Sequence, residues 1–186
     1  GARRLGVENM AAACIQGRAV MIDLEAHYGR ARKLVGYQDL AQVLERDRVT
    51  VEQGDMVCLR TGFAQVLLEM NRQPDPAVVH NICAGLDGRD ERLQQWVTDT
   101  GLAALISDNY AVELVPARPC DTDFCAALPL HAHCLFRLGV NLGEMWYLTE
   151  LADWLRAHAR HRFLLTAPPL RLPGAVGSPA TPVATV

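Results

Sequence analysis

Short apolar runs alternate with amphipathic stretches along most of the chain, and this alternation predicts strands that alternate with helices. Between residues 37 and 46, apolar side chains recur every three or four positions, as on one face of a helix. Residues 56–60 are a mostly apolar run bounded by turn-forming residues, as expected of a buried strand. The pattern predicts an α/β (mixed α+β) domain rather than a helical bundle or a β-sandwich. The same reasoning predicts further helices at 3–13, 63–70 and 90–101, and further strands at 19–24 and 102–106.

The segment between Leu128 and Glu144 carries the strongest candidate chemistry. Pro129 is typical of a helix start and Gly139 of a helix end, so His131 falls in the first turn of a short helix. A helix of about eight residues advances roughly 12 Å, and four extended residues can return about the same distance. This geometry predicts that Glu144 lies beside His131. A neutral imidazole and a carboxylate suit a divalent ion such as Zn or Mn, but a catalytic zinc normally has three protein ligands.

Several other polar positions allow both a functional and a structural interpretation. The backbone amides at Thr61-Gly62 could face an anion or a carbonyl oxygen, although a bare strand-to-helix turn explains the same residues. Residues 107–109, Ser-Asp-Asn, either border a pocket at the end of a strand or form an ordinary turn. Glu113 either orients a ligand or a backbone amide, or is an exposed strand carboxylate. Residues 71–88 show little periodicity and are a candidate for a flap on the substrate side.

Composition and charge narrow the class of protein. Half of the residues are hydrophobic, 21% are charged and the formal net charge is −3, which is typical of a soluble globular protein. We predict no nucleic-acid partner, because the one basic cluster, at residues 156–162, is short and is explained as a solvated helix end. No apolar run reaches the roughly 18 residues that a membrane span requires, so we predict no membrane partner and a cytoplasmic location.

Six cysteines are spread through the chain rather than packed into a small scaffold. Most have apolar neighbours and are expected to be reduced, buried thiols. The alternative is a structural zinc site, although paired Cys-x-x-Cys hooks are missing. That site would draw on Cys120, Cys125, His131, His133 and Cys134.

Six segments together resemble the cyclase family of metal-dependent hydrolases, which includes bacterial kynurenine formamidases and isatin hydrolases. They follow the order expected for that family and cover nearly the whole chain. The segments are residues 1–8, Gly17-Arg-Ala-Val-Met-Ile-Asp-Leu24, Gly54-Asp-Met-Val-Cys-Leu-Arg-Thr-Gly62, Ser107-Asp-Asn-Tyr-Ala-Val-Glu113, residues 128–144 and Gly177-Ser-Pro-Ala-Thr-Pro182.

The resemblance implies a fold, a reaction and a set of partners. The fold is a swivelling β/β/α domain over residues 1–186, usually assembled as a homodimer or a higher homo-oligomer. The reaction is hydrolysis of a C–N bond in a small amide, N-formyl or lactam substrate, with metal-activated water as the nucleophile. His131 and Glu144 would bind the divalent ion, whereas His133, which a helix turns about 200° away from His131, is interpreted as a packing or surface histidine. Residues 167–186, rich in Pro and Gly, would form an ordered closing segment.

One departure from the family pattern concerns the metal site. The family's principal metal motif, His-x-Gly-Thr-His-x-Asp-x-x-x-His, is absent from these 186 residues. Because residues 1–8 resemble the segment downstream of that motif, we expect the chain to be a fragment that lacks the N-terminal part of a longer protein. His27 does not replace the motif, since no second His or Asp follows it at ligand spacing, and we interpret it as a surface or strand-end histidine. The catalytic acid and base are left unassigned.

Two other functions stay open at this point. A non-catalytic relative would use the same fold as a binding or assembly module, and the missing motif is what favours it. An unrelated α/β enzyme, such as a nucleotide binder, is disfavoured because neither a Gly-x-Gly-x-x-Gly fingerprint nor a Walker loop occurs.

Overall fold

The structure is a computed structural model that describes residues 3–4, 6–121 and 124–186. Its α-helices are α1 (Val7–Ala13), α2 (Leu24–Tyr28), α3 (Tyr37–Asp47), α4 (Phe63–Glu69), α5 (Pro76–Val79), α6 (Glu91–Thr100), α7 (Pro129–His131) and α8 (Thr149–Ala157). Helix α7 continues directly into a π-helix, Ala132–Leu138. The strands are β1 (Gln16–Asp23), β2 (Lys33–Val35), β3 (Met56–Arg60), β4 (Ala84–Leu86), β5 (Ala104–Ser107), β6 (Asn141–Gly143), β7 (Arg162–Thr166) and β8 (Val183–Thr185).

Six of these strands form one sheet, in the order β6-β5-β3-β1-β7-β8. Strand β5 pairs in parallel with both β3 and β6, with Ile106 opposite Cys58 on one side and Gly143 on the other. Strands β7 and β8 are antiparallel, with Leu165 opposite Ala184. A second, two-stranded sheet pairs β2 and β4 in parallel. The predicted mixed α/β fold class is therefore confirmed.

The contacts divide the described chain into two compact units, and the division falls within β1. The larger unit, Val20–His161, contains a continuous apolar core in which strand side chains pack against helices. Fully buried members of that core include Ile22, Leu40, Leu59, Leu86, Leu93, Leu105 and Leu130. In the smaller unit, the Val7 amide that opens α1 donates to the carbonyl oxygen of Ala175 at 2.8 Å. The prediction of one domain over residues 1–186, closed by an ordered segment at 167–186, stays a prediction.

Most of the predicted elements are present with similar limits. Strand β3 matches its predicted range, and α3, α4 and α6 differ from theirs by one or two residues. The predicted first helix starts later, at Val7, and its predicted range includes residue 5, which lies outside the described residues. Strand β1 starts earlier than predicted because its first residues, Gln16, Gly17 and Arg18, lack the apolar pattern that marks a buried strand.

Two local predictions need correction. Residues 71–88, predicted to have little regular structure, contain α5 and the strand β4, whose three residues are all buried. A run of three residues is too short for periodicity to reveal. The basic cluster at 156–162 is not a single helix end, because α8 stops at Ala157 and Arg162 opens β7.

None of the helices in the described residues combines the length and apolar character that crossing a membrane requires.

The cysteines fall into two chemical groups. Cys58, Cys83 and Cys134 are buried thiols, as predicted, and burial raises the pKa of each to about 12. Cys120 and Cys125 form a disulfide, which the expectation of mostly reduced, buried thiols did not include. Because these two sulfurs bind each other and Cys134 is buried elsewhere, the zinc-site alternative is not supported within the described residues.

Asp90 joins the starts of two helices. Its Oδ1 accepts hydrogen bonds from the amides of Arg92 and Leu93 in the first turn of α6, at 2.9 and 3.3 Å. Its Oδ2 accepts from the amide of Tyr37, the first residue of α3, at 2.7 Å. The sequence predicted a helix that starts at residue 90 and no contact of Asp90 with another helix, because a cap contributed across 53 residues leaves no local pattern.

We expect Asp90→Ala to lower the free energy of unfolding by about 2 kcal/mol, because amides at two helix starts lose their acceptor. Urea denaturation followed by circular dichroism measures this. Asp99→Ala in the same helix is the control, since its side chain contacts only an exposed glutamine in the described hydrogen bonds, and it should change stability by no more than about 0.5 kcal/mol. Equal effects of the two substitutions would contradict the double cap.

Alkylation should separate the cysteines into three groups, because the thiolate is the species that reacts. In the native protein without reductant, iodoacetamide at pH 8 should label the exposed Cys14 and leave the buried thiols unlabelled. Reduction under native conditions should add Cys120 and Cys125, and denaturation the remaining three. Peptide mass spectrometry counts the labels, and labelling of Cys120 or Cys125 before reduction would contradict the disulfide.

Candidate active site

Three elements bring the candidate residues together in the larger unit. The chain leaves β5 at Ser107, turns through Asp108 and Asn109, and then runs beside β4, where Glu113 pairs with Leu86. Pro129 opens α7 two residues before His131, as the sequence predicted. After the π-helix, Gly139 adopts the left-handed conformation that ends it, with φ of 70°. Strand β6 then returns the chain to Glu144.

His131 lies between two carboxylates. Its Nδ1 is 2.9 Å from Oε1 of Glu113, and its Nε2 is 3.0 Å from Oε1 of Glu144. The structure therefore brings together the two residues that the sequence selected. The Glu113 side chain is completely buried, whereas 21% of the His131 side chain and 35% of the Glu144 side chain are exposed. The Nε2 side of the ring is thus the side that small molecules from solvent can approach.

The carboxylate of Glu113 is also bonded to the helix that carries His131. Its Oε1 accepts a hydrogen bond from the His131 amide at 3.0 Å, and its Oε2 accepts one from the Leu130 amide at 3.1 Å. These are two of the amides that a helix start leaves without internal partners. Glu113 is therefore a buried cap of α7, and the interpretation of this residue as an exposed strand carboxylate is wrong.

The two carboxylates change the protonation of the ring between them. They raise the pKa of His131 to about 9, with the hydrogen bond to Glu113 as the largest cause and that to Glu144 next, while burial acts in the opposite direction. Near neutral pH the ring then carries a proton on each nitrogen, and each proton faces a carboxylate. A metal ion binds only a neutral imidazole, so it would take the place of the Nε2 proton.

The polar residues after β3 and β5 bind one another. Asp108 is buried, and its carboxylate accepts hydrogen bonds from the Thr61 amide at 2.7 Å, the Thr61 hydroxyl at 2.7 Å and the Gly62 amide at 2.8 Å. Burial raises the pKa of Asp108, and these hydrogen bonds act against that rise. The amides considered as an anion site at Thr61-Gly62 already have an anionic acceptor, which favours the structural interpretation of both segments.

A comparison with protein families decides the relationship. The Cyclase family model matches residues 2–114, more than half of the 186 residues. The chain belongs to the Cyclase family. The resemblance found in the sequence is therefore confirmed, and the matched range includes Glu113 but ends before His131.

Solved structures support the same fold. The chain is similar to a crystal structure of a novel cyclase, with a TM-score of 0.79 and 32% identity, over 97% of this chain and 56% of that one. It is also similar to a protein described as a potential metal-dependent hydrolase with cyclase activity, with a TM-score of 0.60 and 16% identity, over 99% and 70% of the two chains. Isatin hydrolase A from Labrenzia aggregata, bound to benzyl benzoate, gives a TM-score of 0.66 and 15% identity, over 96% and 64%.

The chain covers only part of the length of these relatives. The chain spans 56% of the length of the novel cyclase and 64% of isatin hydrolase A. At 15% and 16% identity the last two structures establish the fold alone. The predicted cyclase fold is thereby confirmed. A search of curated proteins found no match to this chain.

In this Cyclase-family chain, the geometry around His131 and Glu144 fits a divalent ion. Two ligand atoms of one tetrahedral zinc site lie about 3.3 Å apart, so the observed 3.0 Å between Nε2 and Oε1 needs to open only slightly. In metal-binding histidines, the N–H of the ring nitrogen that does not bind the metal usually donates a hydrogen bond to a carboxylate. Glu113 is in the position of that carboxylate here. Across residues 3–4, 6–121 and 124–186, no group of three or more His, Cys, Asp or Glu side chains is gathered as a metal site.

The other histidines considered as ligands lie apart from this pair. His133 Nε2 is 3.0 Å from the Thr98 hydroxyl on α6, and burial lowers the pKa of its ring. His27 lies in the helix α2, partly buried, with Nε2 2.9 Å from Asp47 Oδ2, so it is not at a strand end.

Gly88 is the residue of the site that sequence reasoning missed. It lies against the Glu113 carboxylate, and a Cβ atom there would be 2.0 Å from Oε2. In the sequence, Gly88 appeared only as the last residue of the 71–88 segment, a candidate flap. A single glycine before a polar turn has no signal that distinguishes close packing from ordinary turn chemistry.

Proposed function

We propose that this Cyclase-family protein is a metal-dependent hydrolase that cleaves a C–N bond in a small amide, N-formyl or lactam substrate. In this proposal His131 and Glu144 are two ligands of its divalent ion, zinc or manganese. The observation that carries the proposal is the convergence of His131 Nε2 and Glu144 Oε1 at 3.0 Å on a partly exposed side of the ring.

The chain's own residues have distinct parts in this chemistry. A divalent ion held there would lower the pKa of water and polarise a substrate carbonyl. His131 contributes a neutral nitrogen, which suits zinc, and Glu144 a negatively charged oxygen, which suits manganese. Both groups have exposed surface, so water and a small substrate can approach. Residues other than this pair would supply the remaining ligands and the group that moves the proton to the leaving nitrogen.

The comparisons support the hydrolase class. One similar structure is described as a potential metal-dependent hydrolase, and another as an isatin hydrolase, whose named substrate is a lactam. From the family resemblance we also propose a homodimer or higher homo-oligomer, and a cytoplasmic location.

We expect His131→Ala and Glu144→Gln each to reduce zinc affinity at least about 100-fold, because the first removes a ligand nitrogen and the second replaces a negatively charged ligand oxygen by a neutral one. The measurement is metal content by inductively coupled plasma mass spectrometry, combined with a chelator competition for zinc and manganese, on the full-length protein. Hydrolysis of isatin and of an N-formyl arylamine, followed by absorbance, should fall in parallel.

His133→Ala is the matched control, since it removes the same side chain two residues away and should leave metal content unchanged. Wild-type metal content and turnover in both ligand variants would refute the assignment. A wild-type protein that binds no zinc or manganese would instead favour the binding or assembly module.

A further inference from the structure

We propose that Glu113 is the positioning residue of this site, and that Gly88 is the residue that makes room for it. Glu113 holds the ring of His131 with Nε2 directed at Glu144, and Gly88 lets the carboxylate reach that ring. The inference rests on the proposed function for the metal ion, while the orientation of the ring is a property of the chain itself.

The contacts of Glu113 hold both the backbone and the ring of His131. Oε1 accepts a hydrogen bond from the His131 amide and lies opposite Nδ1 of the same residue, and Oε2 accepts one from the Leu130 amide. A completely buried carboxylate needs such partners, since an unsatisfied buried charge is strongly destabilising. One group therefore sets the start of α7 and the rotation of the side chain that α7 carries.

The same contact selects which ring nitrogen is available. A carboxylate accepts hydrogen bonds and cannot donate them, so the nitrogen that faces Glu113 must carry the proton. Nε2 also faces a carboxylate, that of Glu144, but Glu144 is partly exposed whereas Glu113 is completely buried. When a metal ion takes the place of the Nε2 proton, the remaining proton is therefore on Nδ1 and the lone pair on Nε2. A ring free to rotate or to move its proton would present the ligand lone pair only part of the time.

Gly88 is required for space. A Cβ atom at this position would lie 2.0 Å from Oε2 and 2.9 Å from Cδ of Glu113, and 3.0 Å from the Leu130 amide nitrogen. The backbone there is held in place, because the carbonyl oxygen of Gly88 accepts a hydrogen bond from the Gln94 side chain at 2.6 Å. Alanine at position 88 would therefore displace the carboxylate rather than move the backbone.

The experiment is a double-mutant cycle on the full-length protein with Gly88→Ala and Glu113→Ala, read out as zinc affinity by chelator competition. Each single substitution should weaken zinc binding about 10- to 100-fold, as loss of a carboxylate behind a ligating histidine does. The double variant should bind zinc within about twofold of Glu113→Ala alone, because the shortest contacts of the added Cβ are with the Glu113 carboxylate, whose removal leaves space for the methyl group.

Two matched controls separate this effect from general destabilisation. Gly177→Ala adds a Cβ with no heavy atom within 4 Å, and Asp55→Ala removes a buried carboxylate that accepts from the Glu52 amide at 2.7 Å. Both should keep wild-type zinc affinity within about twofold. Losses from Gly88→Ala and Glu113→Ala that multiply in the double variant would overturn the proposal.

A second measurement tests the orientation without metal. The Nδ1 proton of His131 should give a protected downfield proton NMR signal in the metal-free wild type and in Asp55→Ala, and Glu113→Ala should lose it. If the wild type binds no zinc but shows this pattern, the proposed metal function fails and the positioning role stands. A signal that persists in folded Glu113→Ala, with zinc affinity unchanged, would overturn the positioning role. If Gly88→Ala does not fold, Glu113→Ala decides by the same two measurements.

Discussion

The geometry of the site depends on the hydrogen bonds that the buried Glu113 carboxylate accepts. A fully buried negative charge is tolerated only where hydrogen-bond donors surround it. Here the donors are two amides at the start of α7 and the ring of His131. Satisfying the charge therefore fixes the start of the helix, the rotation of the imidazole and the direction in which Nε2 points. The need for space opposite the carboxylate extends this constraint to Gly88.

Two other carboxylates in the larger unit also accept hydrogen bonds from backbone amides. Asp108 accepts hydrogen bonds from the Thr61 and Gly62 amides, which lie between β3 and α4, and so links the ends of β3 and β5. Asp90 receives amides from the starts of α6 and α3. In each case an acidic side chain accepts from backbone amides that have no partner within their own helix or turn. The loops around the site are thus held by specific hydrogen bonds in addition to apolar packing.

The degree to which the site could be predicted follows from the range of each signal. His131 and Glu144 are 13 residues apart, and a helix of known rise followed by an extended return is enough to place them together. Helix-stop chemistry at Gly139 was equally local and was correctly predicted. Glu113 is 18 residues from His131, beyond the range of any periodic pattern, so its burial and its contact with the ring could not be deduced. Strand β4 was missed because three buried residues carry no measurable periodicity.

The sequence by itself determined the class of fold, the main helices and strands, and the proximity of His131 to Glu144, because apolar periodicity, helix-end chemistry and short spacings act within one or two elements. Only the tertiary structure decided which groups surround that pair. It placed a buried carboxylate behind His131, assigned the nearby amides at Thr61-Gly62 to Asp108, and joined Cys120 to Cys125. These outcomes depend on which distant segments share a small volume, and the free energy of a buried charge is set by the donors that reach it there.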